Sequence, residues 1–267
     1  MAHNDVVYWS QEELQSVPAT ATILAFGDSW FHYPMYSGSL VNSIGDLVKP
    51  TGRRILSTGQ NGLEIRQFVQ GYWQKRFRNA IRLYGPHCEA VLISGGGNDF
   101  AGFDDLRPLL NGNCKDAQSA LDCFRPGDGE FTLNDLQYKV YRAYAQFILE
   151  ASLTVPKNAK FFVHNYDYAP VTGKGVFGGE AWIRPALADA QVPPHLYDEC
   201  VRLIIDGHSN TLKDLAASLP DRVVFIDGRN TLAPEDWANE LHPTGAGFAK
   251  MVQMRWKAPL EEAGLCT

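Results

Sequence analysis

Cysteine is scarce, basic charge is outnumbered and no apolar run is long; each shortage closes off a class of protein. The five cysteines among 267 residues, Cys88, Cys114, Cys123, Cys200 and Cys266, are too few for a disulfide scaffold and lack zinc-ligand spacing. Cys114 and Cys123 share one polar, Gly-rich loop, where a bridge would form only in an oxidising compartment. Lysine and arginine total 24 against 30 acidic residues, a net charge of −6. That balance argues against nucleic acid or an anionic membrane as the main partner. No uninterrupted apolar stretch approaches the ~18 residues of a membrane span, so no stable membrane insertion is expected. The amino terminus, Met1 to Tyr8, lacks the basic segment and apolar run of a secretory leader, and a cytoplasmic location is expected. Internal repeats, low-complexity tracts and linkers are also missing, which points to one domain over residues 1–267.

What is present is an ordinary globular composition, 45% hydrophobic and 20% charged, in a chain long enough to bury a large core. Five short apolar or β-branched runs recur: Thr22–Gly27, Arg53–Ser57, Ala90–Ser94, Lys160–Asn165 and Arg222–Asp227. Between them Leu63–Tyr84, Leu133–Leu153, Leu196–Leu219 and Thr244–Trp256 carry helical periodicity. This alternation predicts an α/β fold, a five-stranded parallel sheet between two helical layers. Residues 103–131 and 166–194 exceed what a crossover needs. Both follow the carboxyl end of a predicted strand, so both are expected to overhang a site there.

Chemistry concentrates at those strand ends. Gly27-Asp28-Ser29-Trp30 follows Ile23-Leu24-Ala25-Phe26, so a buried strand ends in a small-residue turn that presents a serine. Open α/β sheets place their ligands at such ends. A serine becomes a nucleophile only beside a base and donors for the developing oxyanion. Glu240-Leu241-His242-Pro243 offers the base. Gly59-Gln60-Asn61-Gly62 and Gly95-Gly96-Gly97-Asn98-Asp99 offer the donors.

On these residues the chain resembles the SGNH hydrolase superfamily, the GDSL esterases and lipases. The blocks match in family order as Phe26-Gly27-Asp28-Ser29, Gly59-Gln60-Asn61-Gly62, Gly96-Gly97-Asn98-Asp99 and Leu241-His242-Pro243, with Trp30 where leucine is common. The resemblance implies a three-layer α/β/α, flavodoxin-like sandwich and hydrolysis of a carboxylic ester through an acyl-enzyme. Ser29 is then the nucleophile and His242 the base. Ser29 N–H, Gly62 N–H and the Asn98 side chain form the oxyanion hole. It implies no metal and no organic cofactor, and a small-molecule, lipid or carbohydrate ester as substrate, with a short-chain or acetyl ester first.

One position departs from the pattern. Three residues before the histidine the family usually has aspartate, and this chain has Asn239. An amide oxygen can accept the imidazole N–H but supplies no negative charge for the imidazolium. Asn239 orients the ring weakly, Glu240 or Asp236 swings in, or a backbone carbonyl suffices; a Ser–His dyad with Asn239 or a main-chain orienter is the favoured expectation. Asp28 and Asp99 are read as turn residues and His164 as structural or substrate-contacting. The helical aromatics Tyr72 and Trp73 are read as packing. Trp30, Tyr33 and Trp182 are even candidates for pocket and core, and Tyr36, Tyr166 and Tyr168 for packing or stacking. Two rivals stand beside the esterase: an inactive binding module on the same fold, disabled at Asn239, and a metallophosphoesterase using Asp28, Asp99, His164, His208 and His242.

Overall fold

The computed structural model describes residues 5–17, 20–33, 38–176, 179 and 181–267. Tyr36 and Met1 to Asn4, which enter the aromatic and leader readings, lie outside them. Six strands form one parallel sheet: β1 (Val7–Tyr8), β2 (Ile23–Gly27), β3 (Ile55–Gly59), β4 (Ala90–Ser94), β5 (Lys160–His164) and β6 (Val223–Ile226). Their order is β1-β3-β2-β4-β5-β6. The expected five strands are all there, and β1 is an addition. Two residues pairing with Ile55 and Leu56 at the edge are too short to carry a period that a sequence would reveal. The second strand begins two residues later than its apolar run, because Ile55 to Gly59 are the residues that pair with Ile23 to Gly27.

The ten helices of the described residues are α1 (Gln11–Gln15), α2 (Ser29–His32), α3 (Leu40–Val48), α4 (Gly71–Tyr84), α5 (Phe103–Leu106), α6 (Leu133–Ser152), α7 (Ile183–Asp189), α8 (Tyr197–Ser218), α9 (Gly245–Met251) and α10 (Lys257–Glu262). Residues of β2 and β4 are buried throughout, as strands covered on both faces must be. On one face Phe26 meets Phe77 of α4 and Phe147 of α6. On the other, Phe162 stacks on Trp256, next to α10. The result is a three-layer α/β/α sandwich. Without the edge strand, the order reads second, first, third, fourth, fifth, the flavodoxin-like arrangement whose ligand crevice opens where the winding reverses. That point lies between β2 and β4, which carry Ser29 and Asn98 at their carboxyl ends.

Two predicted helices are interrupted. Residues 63–84 form a short 3₁₀ turn, Ile65–Phe68, and then α4, because Gly71 takes φ +69° at the junction. The last helix changes pitch at a π turn over Val252–Trp256 before α10. The two long segments contain the short helices α5 and α7, which pack on each other above the strand ends. The five cysteines are free and buried; Cys114 Sγ lies 3.5 Å from the Cys123 carbonyl oxygen without bridging its neighbour. No helix of the described residues is long and apolar enough to cross a membrane.

Gly96 is the most constrained point in the turn after β4. It takes φ +95°, and a Cβ there would lie 2.5 Å from His208 Cε1, a fully buried ring. Strain and overpacking therefore act together. Gly96→Ala is expected to cost about 2–4 kcal/mol of unfolding free energy, read as a lowered urea midpoint; an unchanged midpoint would refute the close packing.

Candidate active site

Asp28, not Ser29, caps α2: its Oδ1 accepts from Trp30 N–H at 3.0 Å. This frees the serine, a residue 7% exposed at the start of the helix. Asp28 is itself fully enclosed. Oδ1 also accepts from Ser94 Oγ at 2.8 Å, and Oδ2 from the Tyr166 hydroxyl at 2.5 Å. Burial raises the Asp28 pKa against the pull of Tyr166, Ser94 and Trp30 N–H. Tyr166 in turn accepts from Gly97 N–H at 3.1 Å. One carboxylate and one phenol thus lock the ends of β2 and β4 to each other.

His242 arrives on a tight loop over residues 237–243, closed by a Trp237–Pro243 bridge and by Ala238 N–H on the His242 carbonyl. Its Nε2 lies 2.8 Å from Ser29 Oγ. Its Nδ1 lies 3.0 Å from Asn239 Oδ1. The same oxygen accepts from the backbone N–H of Leu241 and of His242, each at 3.0 Å. Backbone amides only donate, so the atom they meet must be oxygen. The amide orientation is therefore fixed, Nδ1 must carry the imidazole proton, and Nε2 turns its lone pair to Ser29. Asn239 Nδ2 completes the set by donating to the Tyr33 hydroxyl at 2.9 Å.

The other two candidate orienters are engaged elsewhere. Glu240, fully buried, accepts from Gly173 N–H at 2.8 Å, Trp182 N–H at 3.0 Å and Ile183 N–H at 2.9 Å. It ties the long segment after β5, and the start of α7, to the histidine loop. Asp236 holds Lys250 at 2.6 Å and Ala233 N–H at 2.8 Å. Neither carboxylate is bonded to the imidazole.

Ser29, Gly62, Asn98 and His242 line one open cleft of about 460 Å³, together with Tyr33 and Trp182. Gly62 takes φ +76°, and nothing lies within 4 Å of where a Cβ would stand, so the main chain is bare toward the cleft. Asn98 Nδ2 donates to the Leu63 carbonyl at 3.1 Å. Its second amide proton reaches Asp28 Oδ2 across a long 3.5 Å, the weaker of the two bonds and the one an incoming oxyanion would replace. Asp99, pushed up to about 7 by burial, accepts from Ile65 N–H at 2.8 Å and so caps the turn beneath Gly62. Beside Ser29 a second, small chamber of about 30 Å³ is walled mainly by Trp30, Phe100, Ile183, Val201, Ile205 and Trp237.

Trp30, Tyr33 and Trp182 all border these spaces. Trp73 packs against the core as expected, whereas Tyr72 is exposed beside Arg76. Tyr168 lies under the Arg202 guanidinium, 4.2 Å from its centroid. His164 and His208 are enclosed, and His164 Nδ1 lies 2.7 Å from the Asn165 carbonyl oxygen. Among the described residues no three His, Cys, Asp or Glu side chains converge as metal ligands do. Reading the sequence missed three contributors: the Tyr166 clamp, the Trp237 wall and the stacking of Tyr33. Each is an isolated aromatic in a loop and carries no motif; the one signal available was that Tyr166 follows directly on a strand end.

The fold is that of the SGNH hydrolases. An extracellular lipase from Streptomyces rimosus superposes with a TM-score of 0.52 at 18% identity, over 92% of this chain and 100% of the lipase. A putative GDSL-like lipase from Parabacteroides merdae gives 0.54 at 14%, over 93% and 99%. A putative SGNH hydrolase from Slackia heliotrinireducens gives 0.51 at 13%, over 88% and 97%. No protein-family profile matches the sequence, and no curated protein does. At these identities the likeness is one of fold.

Burial holds four histidines around these strand ends neutral: it lowers His32, His164 and His242 to about 4 and His208 to about 3. In the unfolded chain each titrates near pH ~6.5. Between those values the unfolded state binds more protons, so stability is complete above pH ~6.5 and is lost as pH falls. Each histidine contributes about 1.4 kcal/mol per pH unit within the window. Urea melts at pH 7, 6 and 5 are expected to show a steepening loss; a flat profile would contradict four neutral buried rings.

Proposed function

We propose that the protein hydrolyses carboxylic esters by way of an acyl-enzyme on Ser29. The observation that carries this reading is the 2.8 Å contact between Ser29 Oγ and a His242 Nε2 whose lone pair is set by Asn239. In this reading Ser29 attacks the ester carbonyl while His242 takes its proton. The oxyanion is met by Ser29 N–H, which has no intrahelical acceptor at the first position of α2, by Gly62 N–H and by the Asn98 amide proton that gives up its long bond to Asp28. Each such donor contributes about 3–4 kcal/mol to the transition state. The alcohol leaves with the proton from His242. Water activated by the same ring then releases the acid. The likeness in fold to lipases and SGNH hydrolases supports the reaction class.

The small apolar chamber beside Ser29 supports a short acyl group, acetyl first. Its volume is about 30 Å³, against about 460 Å³ for the cleft on the other side of Ser29. The open cleft on the other side is suited to the alcohol. The test is hydrolysis of p-nitrophenyl esters of increasing chain length, with Ser29→Ala and with EDTA. Acetate is expected to be turned over fastest, EDTA to have no effect, and Ser29→Ala to lower kcat by at least ~10³-fold. Turnover that survives Ser29→Ala, or that vanishes with EDTA, would overturn the reading.

Asn239→Asp is compatible with the local bonding. One carboxylate oxygen keeps the three N–H donors, and the other can accept from Tyr33 once its hydroxyl rotates. The added charge favours imidazolium. A rise in kcat/KM near neutral pH is expected, by up to about tenfold per unit increase in the His242 pKa, since only part of the proton's charge has arrived in the transition state. An unchanged or lower rate would mean that the neutral amide already suffices.

A further inference from the structure

Proton transfer from Ser29 creates a cation in a site where burial already disfavours one. A carboxylate at position 239 would balance it, and the Asn239 amide does not. The ionisable groups near the ring do not replace it. Asp28, behind Ser29, is spent on Ser94, Trp30 N–H, Tyr166 and, at longer range, Asn98 Nδ2. Glu240 is spent on three backbone amides and Asp236 on Lys250. Glu64 and Asp105 belong to the far wall of the cleft, and Glu64 is paired with Arg66. What does lie on the imidazole is Tyr33. The two rings are stacked, with centroids 4.2 Å apart and planes inclined by 15°. The Trp182 ring stands edge-on at 5.8 Å.

We infer that Tyr33 is a positioning residue that supplies, through its ring face and its bond to Asn239, part of the stabilisation of charged His242 that a third-position carboxylate would give. This rests on His242 being the base in ester hydrolysis. The face of an aromatic ring carries negative electrostatic potential, so it attracts imidazolium more than neutral imidazole. The contact therefore strengthens as the proton arrives, which is the condition for lowering a barrier. The hydroxyl acts on the same ring indirectly. By accepting from Asn239 Nδ2 at 2.9 Å it holds the amide with its oxygen toward Nδ1. At 6% exposure Tyr33 also keeps water from competing for the charge.

The test separates ring electronics from shape. Tyr33 is replaced by phenylalanine and then by phenylalanines of increasing fluorination, which drain the ring face with little change in size. With a short p-nitrophenyl ester at pH 8, kcat is expected to fall progressively along the fluorinated series, by roughly 2- to 30-fold in total, with KM held within about twofold. Repeated in the Asn239→Asp background, the decline is expected to flatten, because a carboxylate then carries the same task. A kcat that does not vary with fluorination, or that varies equally in both backgrounds, overturns the role of Tyr33. Ser29→Ala is run alongside: turnover that survives it defeats the esterase reading itself, a result distinct from a flat Tyr33 series.

Discussion

One amide oxygen organises the site. Asn239 Oδ1 receives two backbone N–H groups and the imidazole N–H, and the first two leave no freedom in how the third is met. If the amide were reversed, two backbone donors would face an NH₂ group, at a cost of about 1–3 kcal/mol for each unsatisfied donor. The tautomer of His242 thus follows from main-chain geometry rather than from charge. An asparagine is able to do this because the loop over residues 237–243 curls back on itself and brings its own amides to the side chain. The electrostatic half of an aspartate's task remains, and the ring stacked on His242 is where the structure offers it.

The same division between holding and reacting recurs around the cleft. Asp28 sits directly before the serine yet spends its oxygens on bonds that join two strand ends. Glu240 adjoins the histidine and spends its own on fastening the segment above it. Both are buried carboxylates surrounded by donors, which is the condition under which burying a charge is tolerable. Rigid support of this kind keeps Ser29, Gly62, Asn98 and His242 on one cleft, although they come from four separate parts of the chain.

Much of this was legible in the sequence, for identifiable reasons. The five long strands are continuous apolar runs, because parallel strands covered on both faces must be. Ser29, Gly62, Asn98 and His242 stood out because small, polar turns after such runs are conspicuous. Asn239 was visible as a departure, but not which way its amide faces, since that depends on the curl of its own loop. Glu240 was weighed as an orienter on proximity alone, and its three amide partners come from residues 173–183, which nothing local connects to it. The particular contacts of Tyr33, Tyr166 and Trp237 were illegible, although Tyr33 was already a candidate for the pocket. An aromatic side chain reads the same whether it packs on an aliphatic core, a carboxylate or an imidazole. Edge strand β1 and the break at Gly71 failed for a simpler reason: two residues carry no period, and one left-handed glycine interrupts an amphipathic pattern without erasing it.

The serine and the histidine are 213 positions apart, and Trp30 next to the serine donates its indole N–H to the Leu241 carbonyl at 3.0 Å, beside the histidine. The serine–histidine pair therefore belongs to no single stretch of chain. During synthesis the serine leaves the ribosome before the histidine, and the two meet only once the chain between them has followed. Until then Ser29 Oγ has no His242 imidazole beside it. The serine–histidine contact can therefore form only after all six strands have been made, and it reports the docking of the 237–243 loop rather than the formation of any one strand.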